Sequence, residues 1–199
     1  MQQDSPPETG ASHETPSQGS RKPRILVLSP AGRVYDHDCV EWYGWPREKI
    51  ISHYFNIGDM VVYDSTLKML DFASVDGAII DQPTEGQIAS YKGNYDFFMV
   101  RASNFLHNDM DWLHAIDVLE QVQIPVYAVG VGAQSSDRGV YKLTGKNLRF
   151  WQIVSERSAV IGVRGAFTAD VLAASGIHNV EIVGCPSMFR TRQRELNIR

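Results

Sequence analysis

The stretch Ile124–Gly130, with the sequence IPVYAVG, decides the fold of this chain. It is a short apolar run, rich in branched residues, and it ends at a pair of glycines, Gly130 and Gly132. A run of this length bounded by turn residues is typical of a β-strand. Continuously apolar strands of that kind belong to parallel sheets whose two faces are covered by helices. The stretch therefore predicts an α/β protein.

Similar strands and intervening helical patterns occur on both sides of this stretch. The other predicted strands are Arg24–Ser29, Gly77–Ile80, Tyr95–Arg101, Ala159–Val163 and Val180–Val183. Helices are predicted from Gly58-Asp59 to about Ala73, from about Asn108 to Val122, around Asn147–Arg157, and from about Phe167 to a stop at Gly176. Strand and helix alternate at spacings that suit right-handed crossovers. We expect an open, mostly parallel Rossmann-like sheet with helices on both faces.

Length and composition limit the classes of protein to consider. The 199 residues suffice for one domain with tails, and 43% apolar with 21% charged residues is typical of a globular protein. A net charge of −4 gives no reason to expect nucleic acid as a partner. Cys39 and Cys185 are far apart, which favours a reducing, cytoplasmic setting. No run approaches the roughly 20 apolar residues of a transmembrane segment.

The two ends of the chain differ in composition from its middle. Residues 1–23 contain no Ile, Val, Leu, Phe, Trp or Tyr and are rich in Pro, Ser, Gln, Glu and Thr. Such a segment cannot bury enough surface to order itself, so we predict a disordered tail. The Rossmann-like domain is predicted over 24–190. Residues 191–199 are then a C-terminal tail or the start of a second domain. The aromatic stretch 33–57 is predicted to be a long loop.

Ligands of open parallel sheets bind at the carboxyl ends of the strands, so the candidate residues come from the loops there. Gly130-Val131-Gly132-Ala133-Gln134 follows the fourth predicted strand. It is either a structural turn or a ligand-facing loop. A dinucleotide fingerprint would need a third glycine where Ser135 stands and would follow the first strand. The loop therefore does not predict NAD binding.

Two further loops carry polar groups in suitable places. Arg101-Ala102-Ser103-Asn104 follows the third strand and suits hydroxyl or anion recognition, although a capped turn before the next helix is the alternative. Asn56-Ile57-Gly58-Asp59 lies at a helix start, where free amides favour anions. Asp59 can itself cap those amides, so simple capping is the alternative there.

Arg164 is the candidate catalytic residue. It lies in Gly162-Val163-Arg164-Gly165, at the end of a buried strand, where a guanidinium can bind a carboxylate or phosphate through two parallel hydrogen bonds. The alternative is an ion pair with an acid such as Asp170. No zinc site is predicted, because His107 and His114 have no third ligand nearby.

The landmarks, in order, resemble those of the polysaccharide pyruvyl transferase family. They are Asn56–Asp59, Arg101–Asn104, Pro125–Gln134 (PVYAVGVGAQ), Glu156–Ser158, Ile161–Phe167 (IGVRGAF), Thr168–Ile177 and Val183–Phe189 (VGCPSMF). They cover roughly Asn56 to Arg190. The resemblance implies one half of a two-domain fold of the glycosyltransferase B type.

That resemblance also implies a function. Members of the family transfer the pyruvyl unit of phosphoenolpyruvate to a pair of sugar hydroxyls as a ketal and use no further cofactor. By this resemblance Arg164 contacts the anionic donor, and a sugar or polysaccharide is the acceptor. The implied substrate-binding residues are Asn56, Gly58, Asp59, Arg101, Ser103, Asn104, Gly132 and Gln134.

One departure from the family affects the expected activity. The family's Arg-Leu-His motif, which the resemblance makes the source of the general acid, has no counterpart in this sequence. We therefore expect the chain alone to be inactive as a transferase. The alternatives are a non-catalytic module that binds a sugar or a protein, and a glycosyltransferase of the same two-domain shape. A missing partner domain would expose apolar surface near Ala133, Gln134 and Arg164, so a homo-oligomer is also expected.

Overall fold

The computed structural model describes residues 21–28, 57–78, 83–100, 103–135 and 139–191. Within them, six strands form one open sheet in which every pairing is parallel. The strands are β1 (Arg24–Leu28), β2 (Ser74–Gly77), β3 (Phe97–Val100), β4 (Val126–Val131), β5 (Ile161–Val163) and β6 (Val180–Ile182). Their order across the sheet is β2-β1-β3-β4-β5-β6. The predicted Rossmann-like α/β fold is confirmed.

Five α-helices connect these strands in the described part of the chain. They are α1 (Ile57–Met69), α2 (Glu85–Tyr91), α3 (Leu113–Gln121), α4 (Gly145–Arg157) and α5 (Ala166–Ala174). A short 3-10 helix, Pro186–Phe189, follows β6. None of the described helices is long and apolar enough to cross a lipid bilayer.

The two faces of the sheet are covered unequally. Helices α2 to α5 pack on one face and build the larger apolar cluster, in which Trp112, Phe150 and Trp151 are almost fully buried. Helix α1 packs on the other face over a smaller cluster that includes Tyr63, Leu67 and Met99. The strand order explains the asymmetry, because the β1-to-β2 crossover is the one that runs towards the β2 side of the sheet. The four later crossovers run in the other direction, and equal handedness places their helices together.

The 3-10 helix returns to α1 and is held there by an ion pair. Asp64 of α1 is 8% exposed and forms ion pairs with Arg190 and, at 3.1 Å, with Lys68. Arg190 follows the 3-10 helix directly. The first described helix and the last described turn are therefore in direct contact.

The chain order also locates the point at which the sheet changes direction. β1 pairs with both β2 and β3, so the chain leaves β1 in one direction and returns to its other side. Ligand sites of doubly wound sheets lie near such a point, at the carboxyl ends of the strands. In this chain that position lies between the carboxyl ends of β1 and β3, so the loop that follows β3 borders it and the loop that follows β4 is one strand further along the sheet.

Several element bounds differ from the predicted ones. The second strand is Ser74–Gly77, in register with Arg24–Val27 of β1, so it begins three residues before the predicted Gly77–Ile80, of which residues 79 and 80 lie outside the described residues. Helix α1 ends at Met69, four residues before the predicted end. Helix α3 begins at Leu113 and not near Asn108, because Asn108 instead bonds the segment before α4.

Helix α2 was not predicted, although its sequence carries a start signal. Thr84 accepts a hydrogen bond from the N–H of Gln87, whose side chain accepts one from the N–H of Thr84. This reciprocal capping box stabilises the first turn of a helix. With seven residues, the helix is too short to show a clear apolar period.

The predicted stop of α5 at Gly176 is confirmed. Gly176 has a φ of +82°, a left-handed conformation that glycine adopts without strain. Its N–H bonds the carbonyl of Ala173, and the N–H of Ile177 bonds the carbonyl of Leu172. This pair of bonds is the Schellman motif that ends many helices.

Three predictions fall wholly or mainly outside the described residues. They concern the tail at residues 1–23, of which only 21–23 are described, the loop at 33–57, of which only the last residue is described, and the C-terminal segment 191–199, of which only Thr191 is described.

Candidate functional site

The side chain of Arg164 is fixed at the carboxyl edge of the sheet by three hydrogen bonds. Its Nε donates to the carbonyl of Gly130 at 2.7 Å. Its Nη1 donates to Oδ1 of Asn104 at 3.1 Å, and its Nη2 makes a longer contact of 3.4 Å with the hydroxyl of Ser103. Strand β4 and the segments after β3 and β5 thus meet around one guanidinium.

An irregularity in β4 provides the first of these acceptors. The register between β4 and β5 shifts between Ala128 and Val131. Within that interval Gly130 has a φ of +74°, a conformation that most side chains disfavour. A bulge of this kind redirects the backbone locally, and the carbonyl of Gly130 accepts from the guanidinium in place of a regular ladder bond.

Gly132 allows the second acceptor to come close. A Cβ atom at this position would lie 2.3 Å from Oδ1 of Asn104 and 3.4 Å from Cδ of Arg164. The first distance is far below van der Waals contact, so any side chain here would displace the Asn104 carboxamide. The glycine therefore makes room for the Asn104–Arg164 hydrogen bond.

Backbone bonds hold the loops after β3 and β4 side by side. The N–H of Gly132 donates to the carbonyl of Ser103 at 2.9 Å, and the N–H of Leu106 donates to the carbonyl of Gly132 at 3.1 Å. The N–H of Ala133 donates to the buried hydroxyl of Thr168 at 3.0 Å, which ties the β4 loop to the first turn of α5. The cluster is thus a rigid arrangement.

Tyr141 adds a further link between the same loops. Its hydroxyl donates to the carbonyl of Leu106 and accepts from the N–H of Gln134. Burial raises the pKa of Tyr141, and the hydrogen bond from Gln134 opposes that rise. The phenol is therefore protonated at neutral pH and serves as a hydrogen-bond donor there.

The charge of Arg164 is not neutralised by the residues that hold it. All three acceptors are uncharged, and among the described residues no carboxylate forms an ion pair with this guanidinium. Asp170, the alternative partner, is exposed and makes no such pair with Arg164. A guanidinium has five N–H donors, and the described residues engage three of them. The alternative ion pair with Asp170 is not formed, and anion binding by Arg164 stays a prediction.

The start of α5 adds to this positive edge. Gly165, next to Arg164, is the N-cap of the helix and makes no side-chain capping bond. The amides of a first helical turn carry partial positive charge. Arg164 and these amides are adjacent in sequence, so both act on the same region.

The structure brings together four of the predicted site residues: Ser103, Asn104, Gly132 and Arg164. Ser103 is almost completely buried, so its hydroxyl acts on Arg164 and its carbonyl on Gly132. The side chain of Gln134 is exposed, and only its backbone N–H joins the cluster, through Tyr141.

The remaining predicted residues lie elsewhere or outside the described residues. Gly58 is exposed in the first turn of α1, a separate element at the same edge of the sheet. Asp59 lies inside that helix, as its third residue, and not at the cap position from which a side chain bonds the free amides. Asn56 and Arg101 belong to segments outside the described residues.

Sequence reasoning missed Thr168 and Tyr141 as parts of the site. Thr168 stands four residues after Arg164, at a distance that brings a side chain of the first turn back towards the strand end. That spacing is a usable signal. Nothing in the local sequence around Tyr141 indicates its partners, because both lie on loops that only the folded sheet brings near.

The described residues contain one other notable depression, away from this cluster. It has a volume of about 310 Å³ between α2 and α3 and is lined by Pro83, Glu85, Ile88, His114, Asp117 and Gln121. His114 pairs with Asp117 at 3.6 Å. No group of three or more metal-ligating side chains occurs among the described residues. The cluster around Arg164 is therefore more informative about function than this depression.

The apolar surface expected near Ala133, Gln134 and Arg164 stays a prediction. The large apolar side chains that are exposed in the described segments are Met69, Tyr127, Val140, Val160, Ile182, Met188 and Phe189. Association of two copies through the side that carries Ala133, Gln134 and Arg164 likewise remains a prediction.

The fold and the cluster together define a class: a doubly wound α/β domain with a fixed arginine at the carboxyl edge of its sheet. The profile of the polysaccharide pyruvyl transferase family matches residues 56–196, more than half of the chain. The chain belongs to that family, as the resemblance implied. No curated protein and no solved structure matched the chain.

Proposed function

We propose that the protein takes part in transfer of the pyruvyl unit of phosphoenolpyruvate to two hydroxyls of a sugar, and that Arg164 binds an anionic group of the donor. Membership of the family supports the transfer of a pyruvyl group to a polysaccharide. The choice of phosphoenolpyruvate as donor and the role of Arg164 are the specific parts of the proposal.

The reaction defines what the site must supply. Two hydroxyl oxygens bond to the central carbon of the donor, and the bond from that carbon to the phosphate oxygen breaks. The two hydroxyls give up two protons. One proton equivalent is delivered to the methylene carbon, which becomes a methyl group, and the second proton leaves with the phosphate. The donor is a multiply charged anion, so its binding needs positive charge and N–H donors already in place.

The observation that carries the proposal is that no carboxylate among the described residues compensates the charge of Arg164. A guanidinium held by Gly130, Asn104 and Ser103 loses little conformational freedom when a ligand binds. A fixed cation that keeps two free donors suits a carboxylate or a phosphate oxygen pair. The proton for the methylene carbon is assigned to a group outside this cluster, because the cluster contains no carboxylic acid or imidazole.

The test is a calorimetric titration of phosphoenolpyruvate into the full chain and three variants. Arg164→Ala should weaken binding by about a hundredfold, because a charged, preorganised contact is lost. Arg164→Lys should restore part of the affinity, since an ammonium group keeps the charge without the planar pair of donors. Arg149→Ala removes the same charge from the exposed face of α4 and is the matched control. Equal binding by the Arg164→Ala and Arg149→Ala variants would contradict the proposal.

A further inference from the structure

We infer that Asn104 is a positioning residue for Arg164, that it also donates to the same anion, and that Gly132 is glycine in order to permit this arrangement. The inference rests on the proposed function, which it deepens by naming the residues that orient the anion site. Three observations support it: the orientation of the carboxamide, the space above Gly132, and the backbone conformation of Gly132.

The orientation of the Asn104 carboxamide is determined by its partner. Arg164 can only donate, so the atom of Asn104 that lies 3.1 Å from Nη1 must be the oxygen. The amide nitrogen is then a donor on an exposed side chain, with no hydrogen-bond acceptor recorded for it among the described residues. Asn104 therefore orients the guanidinium with one atom and offers N–H groups with the other.

A side chain at position 132 would affect Asn104 strongly and Arg164 little. A Cβ at this position would clash with Oδ1 of Asn104 at 2.3 Å, whereas its 3.4 Å distance to Cδ of Arg164 is ordinary contact. Gly132 is not among the described glycines with positive φ, so alanine meets no backbone strain. Gly132→Ala should therefore displace the Asn104 carboxamide and leave the rest of the site in place.

The arrangement has a chemical consequence for the ligand. Two N–H donors of Arg164 and the amide group of Asn104 are presented by side chains that are hydrogen-bonded to each other. Donors fixed in this way recognise the geometry of an oxyanion as well as its charge. A carboxylate and a phosphate share this chemistry, so each must be tested separately.

The experiment measures the binding of three probes by calorimetry: phosphoenolpyruvate, inorganic phosphate and pyruvate. The proteins are the full-length wild type, Asn104→Ala, Gly132→Ala and the double variant. Each single variant should bind the anion about tenfold more weakly, through loss of a hydrogen bond to a charged group. The double variant should be no weaker than either single one, because both remove the same contact. Gly86→Ala is the control, since a Cβ there meets nothing within 4 Å.

A second measurement reports positioning without any ligand. Rotation of the Arg164 guanidinium, followed by nitrogen NMR, should be slow in the wild type because Nη1 and Nη2 are both held. It should become fast in the Asn104→Ala and Gly132→Ala variants. A role of Asn104 in stability alone would lower the melting temperature and leave this rotation unchanged.

The outcomes separate this inference from the proposed function. If phosphate or pyruvate binds with the expected variant pattern and phosphoenolpyruvate does not, the positioning role stands and the proposed donor is wrong. If phosphoenolpyruvate binds through Arg164 but is indifferent to Asn104→Ala and Gly132→Ala, the positioning role is wrong and the donor stands. If no probe binds, the NMR measurement decides: unchanged guanidinium rotation in both variants overturns the inference.

Discussion

The arginines at the two edges of the sheet have different hydrogen-bond and ion-pair partners. At the amino edge, before β1 and β3, Arg21 forms a 2.6 Å ion pair with Asp96, and the guanidinium of Arg24 lies over the ring of Tyr95. The carboxylate of Asp96 also accepts from the N–H of Arg24 at 2.7 Å. At the carboxyl edge, the acceptors that hold Arg164 within the described part of the chain are all uncharged.

The difference shows which cation is available for a ligand. An arginine paired with a carboxylate has its charge compensated, and an added anion would have to compete with the acid. An arginine held by a carbonyl, a carboxamide and a hydroxyl is fixed in place and keeps its full attraction for an anion. The amino edge therefore supports the fold, and the carboxyl edge is suited to binding.

The largest expected effect comes from making the carboxyl edge resemble the amino edge. Asn104→Asp places a carboxylate next to Nη1 of Arg164, which compensates its charge and removes the amide donors of Asn104. Phosphoenolpyruvate affinity should fall by about a hundredfold, well beyond the loss in Asn104→Ala. Calorimetry of the two variants side by side checks this. Equal affinity of the aspartate and alanine variants would show that the charge of Arg164 is not what binds the anion.

A smaller effect is expected from removing an uncharged link at the same edge. Thr168→Val keeps the shape of the side chain and deletes the acceptor for the N–H of Ala133. Because Thr168 is 4% exposed, the free energy of unfolding should fall by about 1–3 kcal/mol. Urea denaturation measures it. Thr144→Val is the control, because Thr144 is exposed and its side chain makes no capping bond. Similar losses in both variants would argue against the Thr168 link.

The smallest expected effect is at the amino edge and depends on pH. The N–H of Arg24, together with the charge of Arg21, holds the pKa of Asp96 below its usual value. A depressed carboxyl pKa stabilises the fold above the unfolded value of about 3.9, and this contribution is lost as pH falls through the folded pKa. Asp96→Asn should therefore lower the melting temperature at pH 7, and the difference from wild type should shrink as the pH is lowered below about 4. Asp170→Asn, at an exposed site without an ion pair to Arg164, should show no such trend. A gap that stays constant with pH would exclude the electrostatic explanation.

Much of the fold could be predicted, because a strand of a buried parallel sheet is a run of consecutive apolar residues. Ile161–Val163 and Val126–Val131 are short apolar runs, and burial requires them to be so. The start of the second strand was predicted three residues late, because Ser74–Gly77, with the sequence SVDG, is largely polar and is identified by its pairing with β1.

The site could be predicted only in part, for a similar reason. Arg164, Asn104 and Gly132 were selected because each follows a strand, and all parallel strands end at the same edge. Their mutual contacts could not be predicted, since the Gly130 bulge that brings a carbonyl to Arg164 depends on the register between β4 and β5. The pairing of Arg164 with neutral groups and not with Asp170 depends on that same register.

The contact between Asp64 and Arg190 has a consequence for how the chain folds during synthesis. The two residues are 126 positions apart in sequence. Helix α1 leaves the ribosome early, but its partner turn is made only after β6. Contacts between such distant segments are slow to form, because a long loop must close first. On a ribosome, the ion pair between Asp64 and Arg190 can therefore form only after β6 and the 3-10 helix have been made, whereas the packing of α1 on the sheet needs only earlier segments.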